Sequence, residues 1–327
     1  MAAVRPDISP EGYKPHALHD PGRHWAETNC YVDLWIELLQ ALGHTPEAAL
    51  GFCAGLDFEG DQFTFFKFPS HDLEQLYGLK ALELAVYESL EIQVMEQVAR
   101  GRFVLVEVDA FYLPDTDGVS YGQEHSKTTI GINSYDPAGR RMTYFHNAGF
   151  FAVAGDNFDA LMQRAPARAA DKTLLFPYAE FVKDTGGRPA PAEQRARAQA
   201  LTRAHVAGRP RANPLLAFAE TLEREGERLA ARPPAFFHKY AFNTLRQLGA
   251  AFELLGSHLL WLEAGGGPQL PGAAADCGAI ASGAKTLQFQ MARAFARKKT
   301  AGLGAPLAGM AETYERIFAQ LDIAFAA

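Results

Sequence analysis

Cysteine is scarce: Cys30, Cys53 and Cys277 are the only ones among 327 residues. Three thiols so far apart cannot staple a framework, and their odd number points to reduced side chains and a cytoplasmic setting. Excess positive charge is missing as well. The net charge is −7 and the isoelectric point about 5.8, which excludes a broad electrostatic nucleic-acid binder. No apolar run reaches the roughly 20 residues that a membrane span requires. The best stretch, Leu248 to Leu262, is broken by Glu253, Ser257 and His258, and no apolar leader-like segment opens the sequence. Phosphate-cradling glycine loops and the Gly-x-Ser-x-Gly elbow are absent too, which leaves nucleotide binding and serine-hydrolase chemistry unsupported.

What remains is an ordinary globular balance, 48% hydrophobic and 21% charged, long enough for two domains. The first thirty residues are rich in Pro, Gly and His and read as an extended arm. A helix is expected over Tyr31 to Leu42, with Thr28 and Asn29 as capping residues and Gly43 as its stop. Gln62 to Phe68 reads as a strand or extended piece, and Asp72 to Arg100 as one or two helices. Phe103 to Val108 is a β-branched strand. Thr128 to Ile132 and Met142 to Phe145 flank Asp136-Pro137-Ala138-Gly139 and form an antiparallel hairpin. The composition shifts between Asp184 and Pro191. Beyond it, helices are expected over Ala192 to Val206, Pro214 to Ala231, Pro234 to Glu263, Ala273 to Lys299 and Pro306 to Phe325. The expected class is α+β, with a catalytic domain over residues 1–185 and an all-α helical bundle over 186–327.

Cys30 carries the most chemistry. In the first turn of a helix, unsatisfied N–H groups and the helix dipole favour a thiolate and an adjacent oxyanion. A buried, inert thiol is the bland alternative. His125 opens a strand about a hundred residues later, where an imidazole meeting a helix-start thiol would act as its base. A third group should orient the ring. Folding the hairpin about Pro137 and Ala138 brings His146 or Asn147 opposite Thr128 or Thr129, and Asp109 ends the neighbouring strand. Register decides between them, so Asn147, Asp109 and His146 all stay open, with Asn147 preferred by analogy with Cys-His-Asn sites. Asn29 and His24 flank the thiol as cleft residues. The arm His16-x-x-His19-Asp20-x-x-x-His24 has ligand types but not a recognised ligand spacing, so no metal is assigned. Lys285, Arg293, Arg297, Lys298 and Lys299 give an acidic protein one basic helix end, suited to an acidic partner or simply to the helix dipole.

Several of these stretches together carry a resemblance. Asn29-Cys30-Tyr31-Val32-Asp33-Leu34-Trp35, the run Leu56 to Lys67, Val106-Glu107-Val108-Asp109 with Leu113-Pro114-Asp115, His125-Ser126-Lys127-Thr128-Thr129, Tyr144-Phe145-His146-Asn147 and Lys285 to Gln290 resemble the bacterial domain-of-unknown-function family 1839. More distantly, residues 29–147 are similar to the papain-like N-terminal domain of butirosin biosynthesis protein H. The shared pattern is a Cys opening a helix, a strand ending Val-Asp with Leu-Pro after it, and a His opening the next strand. That resemblance implies a papain-like fold and a cysteine-dependent acyltransferase. It would move an aminoacyl group from a carrier-protein thioester to a small-molecule amine through an acyl-Cys30 intermediate. Phosphopantetheine would then arrive on the acyl or aminoacyl carrier protein, with no resident cofactor, nucleic acid or membrane involved. Asn147 stands where related enzymes often carry Asp. A papain-like thioester or amide hydrolase is the nearest alternative, and a non-catalytic carrier-protein or small-ligand binding protein is the alternative of another class.

Overall fold

The computed structural model describes residues 2–164 and 175–325, which fall into two compact units. The first comprises residues 1–19, 29–45 and 73–188, and the second residues 20–28, 46–72 and 189–327. The compositional break expected between Asp184 and Pro191 thus coincides with the last crossing, between Arg188 and Pro189. The earlier crossings leave no compositional mark.

Among the described residues of the first unit, seven strands build one sheet in which every pairing is antiparallel. They are β1 (Ala2–Ala3), β2 (Leu79–Glu83), β3 (Val104–Asp109), β4 (Lys127–Asp136), β5 (Arg141–His146), β6 (Gly149–Ala154) and β7 (Ala179–Asp184). Their order is β2-β7-β3-β4-β5-β6, with β1 beside the far end of β4. The hairpin closes with Asp136 opposite Arg141, and past a bulge between Ile132 and Ser134 Gly131 faces Phe145.

Alternation along β3 and β4 divides the sheet into two faces. Val104, Val106, Val108, Ile130 and Ile132 join the core built with α3 (Leu90–Ala99) and α4 (Gly155–Leu161). Leu105, Glu107, Asp109, Thr129 and Gly131 turn the other way, toward α1 (Cys30–Ala41). A Cβ on Gly131 would stand 2.6 Å from Leu34 Cδ1. Glycine at that position is what lets the helix lie close against the strand.

The helix expected within Asp72 to Arg100 is interrupted. α2 (Ser70–Tyr77) ends at Gly78, whose φ is +69°, and Leu79–Glu83 is strand β2, paired with β7. Leu-Lys-Ala-Leu-Glu has good helix formers, but pairing a hundred residues away overrides local propensity.

The second unit is helical: α5 (Pro191–Ala207), α6 (Pro214–Ala230), α7 (Pro234–Ala241), α8 (Gln247–Ala264), α9 (Ala273–Arg297) and α10 (Ala305–Ala324). One π-helical segment, Phe242–Arg246, joins α7 to α8 where a single helix was expected. The early segments belong here because small residues admit them. The 3-10 turn Pro46–Gly55 packs against α5 and α8, and a Cβ on Gly51 would stand 2.7 Å from Thr202 Oγ1. Trp25 likewise covers Gly249, and its indole donates to Ala281 O at 3.0 Å. No helix among the described residues is long and apolar enough to cross a membrane.

Candidate active site

Cys30 is the first residue of α1, and Asn29 caps the helix by accepting the Val32 N–H at 3.0 Å. Asn29 is therefore engaged as a cap, and Cys30 is left half-buried. The other two thiols differ from it. Cys53 and Cys277 are buried in the helical unit, and burial pushes both thiols up. They have the inert environment in which a thiolate does not form.

His125 lies two residues before β4. Its Nδ1 lies 2.5 Å from Asp109 Oδ2. The ring stacks on Phe111, with centroids 4.3 Å apart and planes within 9°, and Tyr112 meets it edge-on. Asp109 is itself fixed, because its Oδ1 accepts the N–H groups of Phe111 and Ser126 at 3.1 and 3.3 Å. A carboxylate accepts from a ring N–H, so the contact engages Nδ1 and leaves Nε2 for another partner. His125, Asp109, Ser126, Glu107 and Lys127 line an open cavity of about 420 Å³.

Cys30 does not line that cavity; a run of contacts leads toward it from Tyr31, the next residue of α1. The hydroxyls of Tyr31 and Tyr178 each donate to Glu180, both at 2.8 Å. Tyr178 O accepts the Glu107 N–H, and Glu107 holds Lys127 Nζ at 2.9 Å. Burial, and then the Glu180 charge, raise the Tyr31 phenol above its ordinary range. Among the described residues no hydrogen bond joins the Cys30 thiol to the His125 ring.

The orienting partner differs from the preferred one. Asn147 sits in the two-residue turn between His146 and Gly149, with a left-handed φ of 45°, and among the described residues it makes no hydrogen bond to His125. Asp109 holds the ring instead. His146 points to the opposite face, where it is 1% exposed. Its Nε2 lies 2.7 Å from Thr128 Oγ1 and its Nδ1 2.5 Å from Asp115 Oδ2, while Tyr144 donates to the other oxygen of Asp115. The single-residue alternation that separates Thr128 from Thr129 sends His146 away from His125.

The arm histidines are spread among other duties. His19 is buried between Glu37 and Asp33, 2.5 and 3.3 Å away. His16 Nδ1 accepts the Leu18 N–H. His24 is exposed in the helical unit, its N–H bonded to Glu253 at 3.0 Å. Among the described residues no group of three or more His, Cys, Asp or Glu side chains converges to hold a metal ion.

The expected basic patch also divides. Arg293, Arg297, Lys298 and Lys299 are exposed around the end of α9. Lys285 instead lies over the Trp25 ring, 4.3 Å from its centroid, where burial and the neighbouring Arg246 lower its ammonium.

Sheet, helix layer and helical C-terminal region define an α+β protein of two units. The DUF1839 N-terminal domain matches residues 14–184 and the DUF1839 C-terminal domain residues 191–323, so the chain belongs to the DUF1839 family. No curated protein matches it.

Proposed function

We propose that the first unit is a papain-like acyltransferase with Cys30 as nucleophile, His125 as base and acid, and Asp109 as the group that orients His125. The observation that supports this most is the Asp109–His125 pair, which leaves Nε2 unpaired at the mouth of an open cavity. In this reading the Cys30 sulfur attacks the carbonyl of a carrier-bound aminoacyl thioester. A C–S bond to Cys30 forms and the C–S bond to the pantetheine sulfur breaks, and that thiol leaves with the proton His125 took from Cys30. An amine then attacks acyl-Cys30, His125 accepts the amine proton and returns it to the Cys30 sulfur. The Cys30 N–H, at the positive end of α1, favours the developing oxyanion. Arg293, Arg297 and Lys299 supply the cationic surface that an acidic carrier protein needs to approach an acidic protein.

The His125 side chain is 67% exposed, which keeps water within reach and makes thioester hydrolysis the second reading. Both are tested by intact mass after mixing with an aminoacylated carrier protein. An aminoacyl adduct on Cys30, absent in Cys30→Ala and formed about 10²- to 10⁴-fold more slowly in Asp109→Asn, supports the pair. An adduct that persists until an amine is added identifies a transferase, and one that decays in water alone a hydrolase. Full consumption of the charged carrier by Cys30→Ala, or no adduct and no consumption with wild type, refutes both.

A further inference from the structure

A second cavity, of about 600 Å³, lies entirely within the helical unit, at the junction of α6, α7 and the end of α9. Its volume is in the range that holds a small organic ligand. Phe236, Phe237 and Phe295 supply its apolar wall. Phe237 and Phe295 meet edge-to-face at 5.7 Å, and Phe236 stacks against the buried Tyr240 at 5.7 Å, so the aromatic surface is held in place.

The polar lining has one sign. Arg232, His238 and Lys298 line the cavity, and no carboxylate does among the described residues, in a protein whose net charge is −7. The Arg232 guanidinium lies over the Phe236 ring, 4.7 Å from its centroid. Stacking orders the guanidinium while leaving its in-plane N–H donors available for an anion. Lys298 closes α9 with a φ of 53°. Glycine takes that left-handed position freely and lysine does so at a cost. A cation at a helix end also complements the helix dipole, so the binding role of Lys298 is read from its place in the cavity lining beside Arg232.

We propose that this cavity binds a small amphipathic carboxylate, its apolar or aromatic body against Phe236, Phe237 and Phe295 and its carboxylate met by Arg232 and Lys298. The proposal stands apart from the acyl-transfer reading, since it involves neither Cys30 nor His125. Its ligand class follows from an aromatic wall with cations and no acid beside it, which disfavours a cationic guest.

Decanoate is the probe, measured by titration calorimetry on the full chain. Saturable binding is expected, at least tenfold tighter than decanol, with none by decyltrimethylammonium. Arg232→Gln and Lys298→Gly should each weaken decanoate about tenfold. Lys298→Gly should at the same time leave the melting temperature unchanged or raised, which separates a binding role from a structural one. Because both side chains are exposed, neither change threatens folding. Ala292→Phe, which fills the cavity, should abolish binding. No saturable binding, equal binding of the cationic amphiphile, unchanged affinity in both charge variants, or displacement of decanoate by equimolar inorganic phosphate would each overturn the proposal.

Discussion

Replacing His19 with Gln should remove a specific piece of the pH dependence of stability. The imidazole is fully enclosed, with Glu37 at 2.5 Å and Asp33 at 3.3 Å. Burial pulls its pKa down, but hydrogen bonds to Asp33 and Glu37 and the charges of both carboxylates outweigh that and raise it to about 9. In the unfolded chain the same group titrates near 6.5. Because the folded value is the higher one, its stabilisation is complete below about 6.5 and is lost as pH rises through about 9. At about 1.4 kcal/mol per pH decade, the interval is worth roughly 3 kcal/mol.

The stabilisation is local. Tyr13 donates to Glu37 at 2.6 Å, the His16 N–H donates to Glu37 at 2.9 Å, and Gln40 bonds Lys14 O at 3.0 Å. The arm is thereby tied to the helix that begins with Cys30. Urea unfolding of wild type and His19→Gln between pH 6 and 9.5 gives the test, read as the difference between the two curves. Groups common to both proteins cancel in it. Among these, His44 and His258, both lowered to about 4 chiefly by burial, weaken the fold as pH falls from 6.5 toward 4. The buried Cys53 and Cys277 thiols weaken it above about 8.5. The wild-type advantage should shrink by roughly 3 kcal/mol between pH 6.5 and 9.5. Parallel curves, or an NMR titration placing His19 near 6.5, would refute the argument.

Three further outcomes follow from individual contacts. Iodoacetamide should add one carbamidomethyl group to the native protein, on Cys30, and three in urea, because Cys53 and Cys277 are 2% and 0% exposed; native labelling of either buried thiol contradicts the packing. Gly131→Ala should cost about 1–3 kcal/mol, seen as a lower urea midpoint, since its Cβ would meet Leu34 at 2.6 Å and Leu105 at 3.3 Å. An unchanged midpoint would mean that α1 does not lie against β4. Thr128→Val should cost about 1–3 kcal/mol by leaving a buried His146 nitrogen without a partner, and Thr128→Ser should restore most of it.

Much of the fold was legible where local signals and tertiary packing agree. Asn29 capped the first helix as expected, and the Pro and Gly punctuation marked the C-terminal helices to within a few residues. The residues of β2 favour a helix, and the sequence alone predicts one there. The signal that could have corrected it is Gly78: its φ is +69°, and a Cβ there would come within 2.9 Å of the Gly187 backbone. The sequence alone predicts no strand at β1, β6 or β7. The assignment of residues 20–28 and 46–72 to the helical unit was also beyond the sequence, because it depends on Gly249 and Gly51 facing particular side chains from other segments.

The site follows the same rule. Cys30 and His125 stand out locally, one by its place after a capping residue, the other by its place before a strand. The orienting residue does not, because its identity depends on register between strands. Asp109 pairs directly with Lys127, so a side chain two residues before Lys127 returns to the same side of the sheet, and its carboxylate is held by one N–H from the turn after it, Phe111, and one from beside His125, Ser126. Past the bulge in β4, alternation along β5 puts Tyr144 and His146 on the other face, where Asp115 and Thr128 take them up. Two histidines at strand ends thus acquire opposite characters: one is sealed in a hydrogen-bonded core network, and the other is held by a carboxylate with one nitrogen left open to solvent. Burial separates the pair, 1% against 67% of the side chain exposed, and only the exposed member presents a ring nitrogen to solvent.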